Sequence, residues 1–405
     1  MRTCGVLLVC ALWAGAGEAL KPPAPRPHDE PHRVVEAIAR LRGPDRAARL
    51  RALKTIQRFP ERAIPFLIKA SRSDDRLFRA RVTHALGLVG KGDRDALWAL
   101  ETLLEDPDPL VRREAIAALA NAGDASHIEA IRKRLGDRVE TVRADAVEAI
   151  AELDPANAVD NMRTLLDHSG PRVRRAALGL LVERKPPGLE DTLYRMLDDK
   201  DGGVRGDAAA ALADCVWQRV VGEALQVEDA AARERLYRTA SRTREDVRQA
   251  AEAMMQRLDD PDPYARAMAV RALKQFRAAE AVPRLVELLR TEQVERVRSE
   301  VISALGILGG STVVPALASQ LDASSTTLRQ RAALALGLLR QEARAAVPKL
   351  ILLLGDREPR VRQKADLALR LILGTSVGYK AGASEEARQE AIRKWEEVWR
   401  ETKGR

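Results

Sequence analysis

The sequence predicts an all-α protein, a right-handed α-solenoid (superhelix) of about ten to eleven two-helix repeats closed by a C-terminal capping helix. Three observations carry that reading. The stretch "DPDPLVRREAIAAL" at 106–119 returns as "DPDPYARAMAVRAL" at 260–273, 154 residues later. The 405 residues exceed the roughly 250–300 at which a single core stops growing, so the chain either divides or repeats. Hydrophobic residues make up 46 % of the chain but aromatic ones only 3 %; the bulk is Ala, Leu, Val and Arg, of which Ala, Leu and Arg are strong helix formers.

Aligning on Arg112 of "LVR" gives the register. Equivalent arginines stand at 49, 79, 143, 174, 205, 266, 298, 329 and 362, at spacings of 30 to 33 residues with a single gap of 61. The gap is two steps, with Arg233 as the candidate for the missing member. A fixed period of this size marks stacked supersecondary units.

Each unit reads as two helices. Val111, Ala115, Ile116 and Leu119 fall at helical spacing in the second. The first is announced by Pro65, Pro283, Pro315 and Pro348, each 14 or 15 residues before its arginine. A first-turn proline is tolerated because its missing N–H had no partner. The glycines of "LGLVG" (86–90) and "LGILGG" (305–310) suit left-handed helix ends. In 217–247 both the proline and the aspartate turn are missing, and an irregularity is expected there.

An aspartate stands six residues before the arginine at Asp106, Asp137, Asp199, Asp260 and Asp356. On this Asp-x-x-x-x-Val-Arg pattern the chain, over about 33–376, resembles the HEAT-repeat family, and most of all its bacterial phycobilisome-lyase-type HEAT-like branch. The resemblance implies a ladder of polar contacts between neighbouring repeats, built from those aspartates with Arg112, Arg143, Arg205, Arg266, Arg298, Arg329 and Arg362. Asp106 and Arg112 are expected to be partners in it. It further implies that the second helices line a concave surface. Counting two or five residues past each arginine puts Glu114, Asp145, Glu148, Asp207, Arg235, Arg238 and Arg271 on that surface, Arg235 and Arg238 if Arg233 sets the register.

Both ends differ from the repeats. Residues 1–19 have the layout of a secretory signal peptide: Arg2, an apolar run from Val6 to Trp13, then small residues. The run is far shorter than the ~20 residues that span a bilayer. Residues 20–32 carry five prolines and read as an extended tether. Removing the leader removes Cys4 and Cys10, and Cys215 alone cannot form an intramolecular disulfide. At the other end, 377–405 holds an amphipathic segment whose Ile392, Trp395 and Trp399 share one face, suited to shielding the last repeat.

No catalytic constellation emerges. There is no His-Glu-x-x-His or Gly-x-Ser-x-Gly motif. None of the five histidines is followed by glutamate, whereas the similar HEAT-like deoxyhypusine hydroxylases hold iron with His-Glu pairs. No cofactor, metal site or small-molecule substrate is expected. The net charge of +9 keeps a nucleic-acid-binding alternative in view, like the HEAT-like alkyl-purine DNA glycosylases. Phosphate-backbone binding wants an unbroken basic track, and Glu114, Asp145, Glu148 and Asp207 interrupt it. The expected function is an exported, non-enzymatic scaffold for protein or peptide partners. Sequencing the N-terminus of protein from its native host should therefore begin at Gly17 or Leu20; an intact Met1 would overturn the export reading.

Overall fold

The computed structural model describes residues 30–402; the expected leader and most of the tether lie outside them. Among the described residues there are twenty-two α-helices, short 3₁₀ turns and no strand. The chain is an all-α solenoid. Its helices fall into two compact units, 1–131 and 132–405.

The first unit holds α1 (Glu30–Arg40), α2 (Arg46–Arg58), α3 (Pro60–Ala70), α4 (Arg76–Val89), α5 (Arg94–Leu103) and α6 (Pro109–Ala122), and α7 (Ile128–Arg132) follows. The first helix begins inside the segment assigned to the tether, because Pro31 sits in its first turn, where proline is harmless. The helices α4 and α6 are second helices of successive repeats and pack side by side, while α3 and α5 back them. Val111, Ala115, Ile116 and Leu119 of α6 are all buried.

The second unit continues with α8 (Glu140–Leu153), α9 (Ala158–Leu165), α10 (Pro171–Arg184), α11 (Leu189–Met196) and α12 (Gly202–Leu225). Then come α13 (Ala230–Thr243), α14 (Glu245–Gln256), α15 (Pro263–Gln275), α16 (Val282–Thr291) and α17 (Glu295–Leu308). The chain ends with α18 (Val314–Ser319), α19 (Thr326–Leu338), α20 (Val347–Leu353), α21 (Pro359–Leu373) and α22 (Glu385–Thr402). The second helices α8, α10, α12, α15, α17, α19 and α21 stack in that order.

The stack passes directly from α12 to α15. The 61-residue gap in the arginine register is therefore an extension of α12 followed by an extra helix, α13, with no rung of its own. Gly202 and Gly206 permit the close contact: a Cβ at Gly206 would stand 2.4 Å from the Tyr264 ring, and one at Gly202 2.1 Å from Asp262. Arg219, in the extension of α12, reaches both Glu190 of α11 and Asp246 of α14.

Two local expectations are corrected. Pro283, Pro315 and Pro348 do open their helices, but Pro65 lies inside α3, because Pro60 starts that helix earlier. Gly90 and Gly309, the residues that follow α4 and α17, have φ of −88° and −85°, so they are not left-handed caps. Gly87 and Gly306 lie within those helices and do a different job. A Cβ on Gly87 would come within 2.5 Å of Ala118, and one on Gly306 within 2.7 Å of Ala335. They let adjacent second helices approach closely. Left-handed backbone closes helices instead at Lys185 and Gly374 and, one residue past the cap, at Arg277 and Arg340.

At the C-terminus Ser384 accepts the Ala387 N–H to start α22. Trp395 is fully buried and donates its Nε1–H to Asp366 of α21 at 3.2 Å. Ile392 and Trp399 are half-buried, and the Arg344 guanidinium lies 5.8 Å from the Trp399 ring. Burial pushes the Asp366 carboxyl above its ordinary range, against the pull of Arg370 and Trp395.

The glycine packing is testable. Gly87→Ala should destabilise the chain by about 1–3 kcal/mol through overpacking. Gly179→Ala, in α10 with open space around it, should stabilise by about 0.5–1 kcal/mol through backbone entropy. Urea denaturation of both variants checks this; stabilisation by Gly87→Ala would disprove the close contact.

Candidate functional site

The repeated "DPDP" turn is a hydrogen-bonded device. Asp106 Oδ1 accepts the Asp108 N–H at 2.9 Å, and Asp108 Oδ1 accepts the Leu110 N–H at 2.9 Å, capping α6. The prolines between them have no N–H to satisfy. Arg112 folds back and donates Nη1 to the carbonyls of Asp106 and Pro107 at 2.8 and 3.1 Å. The residue as a whole is 4 % exposed.

The carboxylate of Asp106 faces the preceding repeat. It accepts both Nε and Nη2 of Arg79 at 2.9 Å. This corrects the expected Asp106–Arg112 pair: Arg112 bonds the backbone of the Asp106 turn, and the Asp106 carboxylate takes the arginine of the preceding repeat. In the second unit the same fork joins Arg174 to Asp199 at 2.7 and 2.6 Å. Arg205 reaches Asp260 at 2.6 Å, skipping α13. Arg266 binds Glu292 at 2.7 and 3.0 Å, and Arg329 binds Asp356 at 2.7 and 3.1 Å. Arg362 closes the row on the carbonyl of Ala381 at 3.0 Å. Asp137 accepts the Val139 N–H, and Arg143 donates to the Asp137 carbonyl.

Not every rung has a carboxylate. His168 stands where Arg143 would meet an aspartate. Its Nδ1 accepts the Gly170 N–H at 3.0 Å, as the aspartates do, but the buried Nε of Arg143 has no hydrogen-bond partner. Burial, with the charges of Arg143 and Arg174, holds the His168 pKa below its ordinary value. At Arg298 the equivalent position is Ala323; Gln320 takes Nη2 at 2.6 Å and leaves Nε without a partner. Arg233 makes the local half of the pattern only, bonding the Val227 carbonyl.

Burial raises the carboxyl pKa of Asp260, Glu292 and Asp356, but bonds from their arginines and from backbone N–H groups outweigh it and hold all three below the ordinary range.

The residues counted to the concave surface divide. Glu114 lies 3.4 Å from His84 Nδ1, and the hydrogen bond to Glu114 holds the His84 pKa above its ordinary value. Asp207 is engaged: Arg175 Nε stands at 2.6 Å and the Tyr264 hydroxyl donates to it at 2.7 Å. Arg296 lies 5.1 Å from the same Tyr264 ring. Asp145 and Glu148 are on α8, and Glu148 lines an acidic pocket with Glu152 and Glu183. Arg271 is exposed on α15. Arg235 and Arg238 sit on α13, outside the row of second helices, because Arg233 is not a rung.

In the first unit the second-helix face holds a cup of about 350 Å³, floored by Leu50, Leu53, Leu77 and Leu110 and rimmed by Arg46, Arg49, Arg81, His84 and Glu114. Sequence reasoning missed this cup, Tyr264, and His168 and Glu292 as occupants of the aspartate position. The last two were available from the register itself, six residues before Arg174 and Arg298. Among the described residues no group of three or more His, Cys, Asp or Glu could hold a metal, and no helix is long and apolar enough to cross a membrane.

The family model for HEAT repeats matches residues 34–120, 97–178, 128–213 and 251–337. The chain belongs to the HEAT-repeat family, and the stretch between the third and fourth matches is where α13 interrupts the stack. Curated proteins offer no match. Among solved structures, Kap95 in the Kap95:Nup1 complex is 13 % identical, with 85 % of this chain and 52 % of that one covered at a TM-score of 0.52. Kap121p bound to Pho4p is 15 % identical, with 92 % and 48 % covered at a TM-score of 0.50. The chain thus spans about half the length of these two structures, and the likeness is one of fold.

The rungs are testable. Asp199→Ala strands a guanidinium that is 3 % exposed, and breaking such a buried pair costs about 3–5 kcal/mol. Asp167→Ala removes a pair whose members are 53 % and 73 % exposed and should cost under ~1 kcal/mol. Equal losses would disprove the ladder's role. His168→Asp should raise the melting temperature by giving Arg143 its carboxylate, and a fall would show that the imidazole is the better fit.

The ladder also sets a pH dependence. The folded pKa values of Asp260, Glu292 and Asp356 lie below their unfolded ones, so their stabilisation is complete above the carboxylate range. It is lost as the pH falls below about 4. Asp356→Asn should be less stable at neutral pH and lose less of its stability on acidification.

Proposed function

We propose that this chain is a non-enzymatic scaffold that binds protein or peptide partners on the faces built by its second helices. One observation carries the reading. The rung arginines are committed to backbone carbonyls and carboxylates within the fold, while leucines and charged side chains between the rungs remain presented to solvent in shaped sets. The cup in the first unit and the acidic pocket between α8 and α10 are two such sets. Such surfaces, with an apolar centre and a charged rim, suit macromolecular partners. The fold shared with Kap95 and Kap121p, whose structures contain Nup1 and Pho4p, supports the same reading.

The finer proposals rest on sequence. The Asp-x-x-x-x-Val-Arg turns favour the phycobilisome-lyase-type branch of the family. The layout of 1–19 favours export, with 20–32 as a tether, 33–376 as the solenoid and 377–405 as its cap.

The full chain, immobilised, should retain a protein partner from the envelope fraction of its host. Retention should fall when Leu77→Glu or Glu148→Gln with Glu183→Gln alters a second-helix face. It should be unchanged by Trp98→Ala, a 64 % exposed residue on the first helix α5. Partners retained equally by all variants would remove the faces from the reading. Retention of duplex DNA with a steep salt dependence would replace it with the nucleic-acid alternative.

A further inference from the structure

The first rung of the solenoid lacks a carboxylate, and its arginine, Arg49, lines the leucine cup. Arg49 donates Nη1 to the carbonyls of Gly43 and Pro44 at 2.9 and 2.6 Å, the local half of the pattern. At Arg79, Arg174, Arg205, Arg266 and Arg329, Nε and Nη2 then take a carboxylate. Here the corresponding residue is Ser73, six positions before Arg79, whose hydroxyl already accepts from Arg42 and from the Asp75 N–H. Arg81, on the next second helix α4, is in a similar condition: its Nη1 is bonded to the carbonyls of Leu41, Arg42 and Gly43. Carbonyls orient a guanidinium but do not cancel its charge.

These two arginines and Arg46 rim the cup whose floor is aliphatic. Leu50 and Leu77 are 52 % and 47 % exposed there, although both face a concavity. The acids nearby are committed elsewhere: Glu114 lies against His84, and Asp45 caps α2 and stands 3.8 Å from Arg51. The cup thus pairs an unneutralised cationic rim with an uncovered apolar floor.

We propose that this cup is a docking site for an acidic, apolar peptide segment of a protein partner. A carboxylate of the segment completes the Arg49 rung, as Asp106 completes that of Arg79, and an adjacent bulky apolar side chain covers Leu50 and Leu77. The partner supplies in trans the group that the chain supplies to itself at Arg79, Arg174, Arg205, Arg266 and Arg329. Bidentate arginine–carboxylate geometry gives direction, and the leucines give the apolar contact. This deepens the scaffold reading and rests on it.

The test uses the full chain and the synthetic peptide acetyl-Gly-Glu-Phe-Leu-Glu-Gly-amide, titrated by calorimetry at low salt. Two control peptides replace both glutamates by lysine, or Phe-Leu by Ser-Ser. The parent peptide should bind roughly tenfold or more tighter than either control, the scale of one charge-assisted contact. Arg49→Gln should abolish that preference, and so should Leu77→Glu, which leaves the rung untouched. Ser73→Asp is the decisive variant: it should raise the melting temperature, by completing the rung internally, and at the same time abolish peptide binding. Equal binding of the parent and lysine peptides, or binding unchanged in Ser73→Asp, would overturn the proposal. If those results appear while the chain still retains its native partner, the docking site falls and the scaffold reading stands; if no partner is retained either, both fall.

Discussion

The stack depends on one interaction, an arginine that bonds two things at once. Its Nη1 closes the turn that begins its own helix, and its Nε and Nη2 grip the carboxylate that begins the next second helix. Only a planar fork with five donors can serve both ends; a lysine would deliver a point charge to one of them. Every rung is accordingly an arginine, in a chain with 55 arginines and 13 lysines. The rung guanidiniums also add little to a basic track for nucleic acid: Arg79, Arg174, Arg205, Arg266 and Arg329 lie buried or half-buried between repeats and are each matched by a carboxylate. Burying such ions is expensive unless every donor and acceptor is matched. The Asx turn helps meet that condition, because the same carboxylate that takes the fork also accepts a backbone N–H.

The exceptions show how the constraint is relaxed. Glutamate serves at 292 because its longer side chain still reaches Arg266 while accepting the Val294 N–H. Histidine serves at 168 for the turn but not for the fork, since Nδ1 is a single acceptor and the ring carries no charge to offset Arg143. At Ala381 the row ends on a peptide carbonyl. In each place the local turn survives and only the link to the next repeat changes. The turn is thus the more conserved demand of the geometry within this chain, and the link is the part that can be given up or redirected.

This division explains what was legible in the sequence. Period and helix pairing follow from marks that recur in one dimension: the arginine, the proline ahead of it, the aspartate turn. The all-α solenoid was therefore readable. Partnership across repeats was not, because Asp106 is equally close in sequence logic to Arg112, whose helix it precedes, and to Arg79, whose fork it fills; only the stacking direction decides. Gly87 and Gly306 were read as helix ends from their neighbours in "LGLVG" and "LGILGG", whereas close approach of a second helix is what excludes their Cβ. The charged row failed at Arg235 and Arg238 for a similar reason: counting from Arg233 assumes that a helix with the local motif must belong to the stack.

A stack held by nearest-neighbour links can lengthen a helix and add another without losing cooperativity, provided the flanking repeats still meet. The passage from α12 to α15 meets that condition with Gly202, Gly206 and the Arg205–Asp260 fork, so α13 is carried as an addition. The same logic locates function. Where a rung holds its carboxylate, charge burial fixes both members of the pair. Between the rungs the side chains vary more widely along the second helices, with Leu50 beside Arg46 in one unit and Glu148 near Glu183 in the other. Selection for a partner can act on those side chains independently of selection for the fold. The first rung is where the two meet, because there a structural arginine without a carboxylate also lines a cup between second helices.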